Sequence, residues 1–222
     1  SVILTGNNTF TGTTTINAGT LNAAVTGALG STSGITVNSG GTLLLSNAAT
    51  NDRINNAASM TLNANGSSTV AFSTGGLSEH GTNNNDAGIG AVTLQSSSII
   101  DLGTGSSILA FANSSGQVLA WGTGKILSIY NWSGTPITGG GTDQVYFGNS
   151  TGGLLPNQLL EIQFYSGFGT GAYTLGAMQL GDGEIVPLPI PEPSTWAAGA
   201  LVLALLGWRQ RRRLTSRRKL AS

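Results

Sequence analysis

The side chains best suited to chemistry in this chain are six carboxylates: Asp86, Asp101, Asp143, Glu161, Asp182 and Glu184. Cleaving a glycosidic bond needs two carboxyl groups facing it from opposite sides. No spacing here marks such a pair except Asp182 and Glu184, which flank Gly183. Gly181-Asp182-Gly183 is a hairpin signal, so the expectation is a turn-forming Asp beside a solvent-facing Glu. An Asp-Gly-Glu turn also offers too few of the roughly six to eight oxygens that calcium takes.

The remaining candidates are thinner still. His80, beside Glu79, falls in an Asn-rich stretch from Ser78 to Ala91 and is expected as a loop histidine rather than a general base. Eliminative cleavage of a uronate would want basic side chains, and only Arg53 and Lys125 precede residue 209. No serine sits in a Gly-x-Ser-x-Gly setting, and Gly139-Gly140-Gly141 has no following Lys to make a phosphate cradle. With one histidine and no cysteine, a disulfide framework, a thiolate site and a zinc centre are all outside expectation. The reading is a non-enzyme with no catalytic residue, no metal and no cofactor.

Elements that would position these side chains are short strands. Thr15-Ile16-Asn17, Thr36-Val37-Asn38, Thr61-Leu62-Asn63 and Thr93-Leu94-Gln95 repeat one pattern at spacings of 21, 25 and 32 residues. Each is followed by a small-residue turn and a second apolar run: Leu21, Leu43 to Leu45, Val70 to Phe72, and Ile99 to Leu102. Period-two alternation punctuated by Gly and Asn denotes strands. One such unit cannot bury its own aliphatic face, whereas stacked units can, with Ile16, Val37, Leu62 and Leu94 inward and Asn17, Asn38 and Asn63 aligned as an amide ladder. Uneven spacing is then the work of inserted loops, the stretch from Ser78 to Ala91 among them.

From residue 113 to 186 larger residues take over, with strands expected at Lys125 to Trp132, Gln144 to Phe147, Leu159 to Tyr165, Ala172 to Leu180 and Glu184 to Leu188. This reads as a β-rich cap on the stack. Its aromatic residues suit a core, with a sugar-stacking platform as the alternative.

Charge separates the body from the C-terminus. Residues 1–208 hold two basic residues against nine acidic ones, a net charge of −7, while the last 14 residues hold seven basic side chains and no acid. Four prolines within residues 187–193 make a stiff extended linker. The thirteen uncharged residues from Trp196 to Trp208 follow, including Leu201, Leu203, Leu205 and Leu206. Thirteen helical residues reach ~20 Å, short of a ~30 Å hydrocarbon layer. Basic residues on one side only (Arg209, Arg211, Arg212, Arg213) and tryptophan at both ends nonetheless favour a transmembrane helix with a cytoplasmic basic tail over a helix docked on the body. A basic run abutting such a helix fits anionic lipid better than nucleic acid. The chain opens at Ser1 without a basic-then-apolar leader, so it reads as a fragment or mature form of an exported protein.

Pro191-Glu192-Pro193-Ser194-Thr195, then a short apolar helix and an arginine cluster, closely resembles the PEP-CTERM sorting signal of Gram-negative bacteria. The resemblance implies an exosortase-like membrane peptidase as partner, with Pro191, Glu192 and Pro193 as substrate residues, and export to a surface linked to exopolysaccharide. Residues 4–21, from Leu4-Thr5-Gly6-Asn7-Asn8 to Ala18-Gly19-Thr20-Leu21, resemble an autotransporter-associated β-strand repeat, whose fold is a right-handed parallel β-helix. The expected organisation is therefore all-β. A β-helix occupies residues 1–112, a cap module 113–186, a Pro-rich linker with the PEP motif 187–195, a transmembrane helix 196–208 and a basic tail 209–222. The expected protein is a structural component of the bacterial cell surface or extracellular matrix, anchored in the inner membrane during export. A carbohydrate-binding or carbohydrate-active β-helix is the alternative.

Overall fold

Strands of only three to five residues dominate the computed structural model, and the reason they persist is lateral pairing. The structure describes residues 1–47, 51–65, 69–72, 77–117, 121, 124–167, 170–173, 175–188, 201 and 203. Two compact units divide the chain, Ser1–Leu188 and Pro189–Ser222.

In the first unit the chain moves from sheet to sheet and returns to each beside the strand it left. β1 (Val2–Leu4), β3 (Gly19–Ala23), β5 (Gly41–Leu45), β7 (Thr69–Phe72), β10 (Ser98–Asp101), β12 (Leu127–Tyr130) and β14 (Ile162–Gly167) lie in that order in one sheet, all parallel. β15 (Thr170–Ala172) closes the far edge antiparallel to β14. A second parallel sheet holds β2 (Thr14–Ile16), β4 (Gly34–Asn38), β6 (Ser59–Asn63) and β9 (Val92–Leu94). A third holds β8 (Ser78–Glu79), β11 (Ile108–Phe111) and β13 (Gln144–Phe147), again parallel.

Register turns the sequence repeat into a core. Ile16 pairs with Val37, Val37 with Leu62 and Leu62 with Leu94, and all four are buried. On the first sheet Leu43, Ile100, Ile129 and Phe164 form the facing column. Each buried aliphatic contributes about 1.5–3 kcal/mol relative to exposure, which no isolated three-residue strand collects. Gly41 shows how close the layers come, since a Cβ there would lie 2.5 Å from the Ile16 carbonyl oxygen.

Polar side chains follow the same register. Asn63 Nδ2 donates to Asn38 Oδ1 at 3.0 Å, and Asn38 Nδ2 to Asn17 Oδ1 at 2.9 Å. Ser96 Oγ donates to Asn63 Oδ1 at 3.3 Å and ends the ladder. The expected amide ladder is present.

The stretch from Ser78 to Ala91 is less loop-like than its composition. Its first two residues are β8, and Glu79 is fully buried against an equally buried Arg53, with Nη1 3.2 Å from Oε2. The carboxylate also accepts the backbone N–H groups of Arg53 (3.2 Å) and Ile54 (3.0 Å), while the guanidinium donates to the carbonyls of Ser46, Asn47 and Ser78. The side chain of Glu79 thus replaces backbone pairing where residues 53–54 meet β8. Turn chemistry appears only beyond it, with Asn83 donating to Asp86 Oδ2 from both N and Nδ2 and His80 bridging Ala87.

Parallel pairing continues past residue 112 through β12 and β14. The strand expected from Leu159 begins at Ile162 instead, because Pro156–Leu159 forms a helical turn, α1. Pro156 suits its first position, and Gln158 Oε1 accepts the Leu155 N–H at 2.7 Å. The segment from Ala172 to Leu180 is broken into β15 and β16 (Ala177–Gln179), and β16 pairs with β17 (Ile185–Pro187) as the expected hairpin. Gly183 has φ +94° at its turn, and a Cβ there would sit 2.0 Å from the Gly148 carbonyl oxygen.

In the second unit only Leu201 and Leu203 are described; both are helical and exposed. No helix among the described residues is long and apolar enough to cross a membrane. The span expected over residues 196–208 otherwise lies outside the described residues.

Removing one member of a buried ion pair strands the other in a poor solvent, at a cost of about 3–5 kcal/mol. Arg53→Met should lower the free energy of urea unfolding by that amount, and a loss under about 1 kcal/mol would show that Arg53 does not stitch Ser46 and Asn47 to β8.

Candidate functional site

Strand alternation places one set of side chains in the core and the other on the outer faces. On the second sheet Thr15, Thr36, Thr61 and Thr93 stand in one outward column. On the first sheet Thr20 and Thr42 form another. With the Asn17–Asn38–Asn63 ladder, these make a surface of hydroxyl and amide groups without charge.

The first sheet's neighbouring outward column changes character along the stack. It runs from Asn22 and Leu44 to Asp101 and Tyr130, with Tyr165 on the next strand. The Tyr130 and Tyr165 rings stack 4.4 Å apart and nearly parallel, at 5°. Asp101 Oδ1 accepts Asn131 Nδ2 at 2.6 Å and the Gly103 N–H at 3.0 Å, which fixes the carboxylate beside them. Most other aromatic residues are core: Phe111 stacks on Phe147 at 5.0 Å, Trp121 meets Phe147 edge-on, and Trp132 meets Phe164 and Tyr173 edge-on. Phe164 and Tyr165 show why the sequence did not separate the two groups: adjacent in β14, they differ only by parity.

The carboxylates scatter. Asp143 is buried and accepts the Ser107 N–H at 3.0 Å and the Ser133 hydroxyl at 2.5 Å. Glu161 Oε1 accepts the Gly124 N–H at 3.2 Å. Asp86 is taken up within its turn. Lys125 Nζ lies 3.5 Å from the Leu94 carbonyl oxygen, and His80 Nδ1 lies 2.7 Å from the Gly81 carbonyl oxygen. No group of three or more metal-ligating residues occurs among the described residues.

Asp182 and Glu184 are the exception, and the expectation of a solvent-facing Glu184 is corrected. Glu184 is 2% exposed. The Gly140 N–H donates to both its oxygens, at 3.1 and 3.0 Å, so it anchors the glycine turn at residues 139–141, where all three residues have positive φ. Asp182 Oδ1 accepts the Glu184 N–H at 3.1 Å. Burial, helped by the nearby Asp182 charge, pushes the Glu184 carboxyl up to about 7 against the pull of the Gly140 N–H. Tyr146 beside it is pushed up to about 12, by burial first and then by Glu184 and Asp182. Glu79 also rises to about 7, because desolvation outweighs the Ile54 and Arg53 N–H donors and the Arg53 charge. Both glutamates act as internal acceptors for backbone donors. The sequence concealed this because each is bonded to residues more than 20 positions away.

The residues of the expected sorting signal (Pro191, Glu192, Pro193, Ser194, Thr195), of the membrane anchor (Trp196, Leu205, Leu206, Trp208) and of the basic cluster (Arg209, Arg211, Arg212, Arg213) lie outside the described residues.

The architecture defines a class: a mostly β protein of parallel sheets, with few helices and no closed barrel among the described residues. Comparison with protein families gives the particular identity of its two ends. Residues 1–23 match the passenger-associated-transport-repeat, and residues 189–213 match the PEP-CTERM protein-sorting motif. The chain carries that sorting motif, which marks it as exported and sorted by an exosortase at the cell envelope. Comparisons with curated proteins and with solved structures give no match.

A carboxyl raised in the folded state binds more protons there than in the unfolded chain, so its stabilising contribution is full below about 4.5 and is lost as pH climbs through about 7. Glu184→Gln keeps an acceptor for Gly140 and removes the titration. The urea midpoint of the wild type should fall across that window, and that of Glu184→Gln should fall less steeply. Identical slopes would place the Glu184 pKa at its ordinary value.

Proposed function

We propose that the chain is a non-catalytic structural protein of the cell surface or extracellular matrix. Its first 188 residues form a right-handed parallel β-helix passenger, and its tail is a disposable sorting device. The observation that carries this reading is the boundary: the compact unit ends at Leu188 and the sorting motif begins at residue 189, so the tail can be removed without cutting a strand. The uncharged Thr and Asn columns support it, since they offer repeated hydrogen-bonding groups and no arranged pair of carboxylates.

In this reading Trp196 to Trp208 sits in the inner membrane with Arg209, Arg211, Arg212 and Arg213 on the cytoplasmic side, and Pro187 to Pro193 holds Glu192 extended outside the bilayer. Prolines pre-order an extended segment, lowering the entropy cost of binding in a peptidase cleft. In a host with an exosortase, replacing Pro191-Glu192-Pro193 by three alanines should leave the protein uncut in the inner-membrane fraction. Equal amounts of altered and original protein at the surface, at equal mass, would refute the sorting role.

The Tyr130–Tyr165 pair beside Asp101 and Asn131 favours a second reading, a carbohydrate-binding surface with exopolysaccharide as partner. Electrophoresis through gels containing the host's exopolysaccharide decides it. Retardation of the wild type, lost in Tyr130→Ala/Tyr165→Ala, would establish binding, and equal mobility of both proteins would leave the structural reading alone.

A further inference from the structure

Strand register leaves little freedom in how the rings of Tyr130 and Tyr165 meet on the outer face of the first sheet. Ile129 pairs with Phe164, which brings Tyr130 opposite Tyr165 one residue on, and the Trp132 N–H donates to the Tyr165 carbonyl oxygen at 3.1 Å beyond them. The pair is clamped on both sides. In a parallel pair both side chains leave their strands in the same sense, so the rings lie 4.4 Å apart and within 5° of parallel. Burial first, and then the charge of Tyr165, raises the Tyr130 phenol above its ordinary value, which sets the two phenol oxygens near one another. Both residues are half-buried, so each keeps a route to solvent.

Two phenols held face to face are the reactants of oxidative coupling. The chain has no cysteine, and a carbon–carbon bond between two tyrosines is a covalent cross-link that needs no thiol. Stacking replaces the encounter that free tyrosines must make by diffusion.

We propose that Tyr130 and Tyr165 form an oxidative cross-linking site, joined ring to ring as a dityrosine by a peroxidase-class oxidant with hydrogen peroxide. Each phenol gives up one electron and its hydroxyl proton and becomes a phenoxyl radical, whose unpaired density spreads to the ring carbons ortho to oxygen. The two radicals form one bond between ortho carbons. The hydrogen on each of those carbons then leaves as a proton while the neighbouring oxygen takes one from water, which restores both aromatic rings. In sum two phenols lose two electrons and two protons, and one hydrogen peroxide takes up both and becomes two waters. The new bond ties β12 to β14 and closes a loop that contains β13, α1 and the glycine turn at residues 139–141. Such a link restricts the unfolded chain more than the folded one, so it staples the passenger. This goes beyond the structural reading of the chain and does not depend on it.

The test treats the full chain, dilute and in mild detergent, with a peroxidase and limiting hydrogen peroxide. The monomer should acquire dityrosine fluorescence and lose two hydrogen atoms in mass, and proteolysis should release one peptide pair joined through Tyr130 and Tyr165. Of the four tyrosines, Tyr146 is buried and Tyr173 meets Trp132 edge-on, so Tyr173→Phe is the control. Tyr130→Phe and Tyr165→Phe should each lower the monomer's fluorescence at least about tenfold, because a lone radical must then find a partner by diffusion. Tyr173→Phe should leave it unchanged. The urea midpoint should rise on oxidation of the wild type and stay in place for Tyr165→Phe, with circular dichroism alike in all four proteins. Fluorescence confined to dimers and larger species, a monomer that keeps its mass, or a peptide pair joined through Tyr146 or Tyr173 would each overturn the proposal. So would equal losses in Tyr173→Phe and Tyr165→Phe, or a wild-type midpoint that coupling does not move.

Discussion

A strand of three to five residues with one aliphatic face can do nothing alone, and every larger feature of this protein depends on that limit. Its hydrogen bonds and its apolar face are both satisfied only by the equivalent strand of the next repeat. In-register parallel pairing therefore sets the column Ile16–Val37–Leu62–Leu94, the amide ladder beside it, and the threonine columns on the outside. Core, ladder and surface are three readings of one register. A slip of a single residue would exchange inner and outer faces and lose all three.

Charge is used sparingly in the body, and at Glu79 and Glu184 it replaces backbone pairing. Glu79 collects donors from Arg53 and Ile54 where the third sheet begins, and Glu184 collects the Gly140 N–H where a three-glycine turn must be held. Burial raises both carboxyls to about 7, so each gives up part of its ionisation in exchange for position. Such groups resemble catalytic acids by their titration. Here their oxygens are directed at backbone N–H groups rather than at open space.

The sequence revealed what repeats and concealed what happens once. Four copies of Thr-aliphatic-amide disclosed the inward residues and the ladder, because a side chain's direction follows from parity within a strand. β8 was hidden, since Ser78 and Glu79 carry no alternation and their pairing rests on an arginine 26 residues away. Glu184 looked like a hairpin flank open to solvent, because nothing local reveals the glycine turn folded over it. Tyr130 and Tyr165 were indistinguishable from the core aromatics until register put them on the outer face. The tail was legible for a different reason: its order of prolines, apolar segment and arginines is itself the signal, and the family comparison finds it at residues 189–213.

The local alternative to stacking is a set of hairpins. Asn38-Ser39-Gly40-Gly41 is a turn sequence between two strands, and an antiparallel pair of β4 with β5 would satisfy the same local propensities. The register observed instead sets Val37 against Leu62 and Leu43 against Val70. Nuclear Overhauser contacts between backbone protons in the isotope-labelled protein separate the two directly. Contacts linking β4 to β6 and β5 to β7 are predicted by the account, and contacts linking Val37 to Leu43 or Leu44 across the Ser39-Gly40 turn would contradict it.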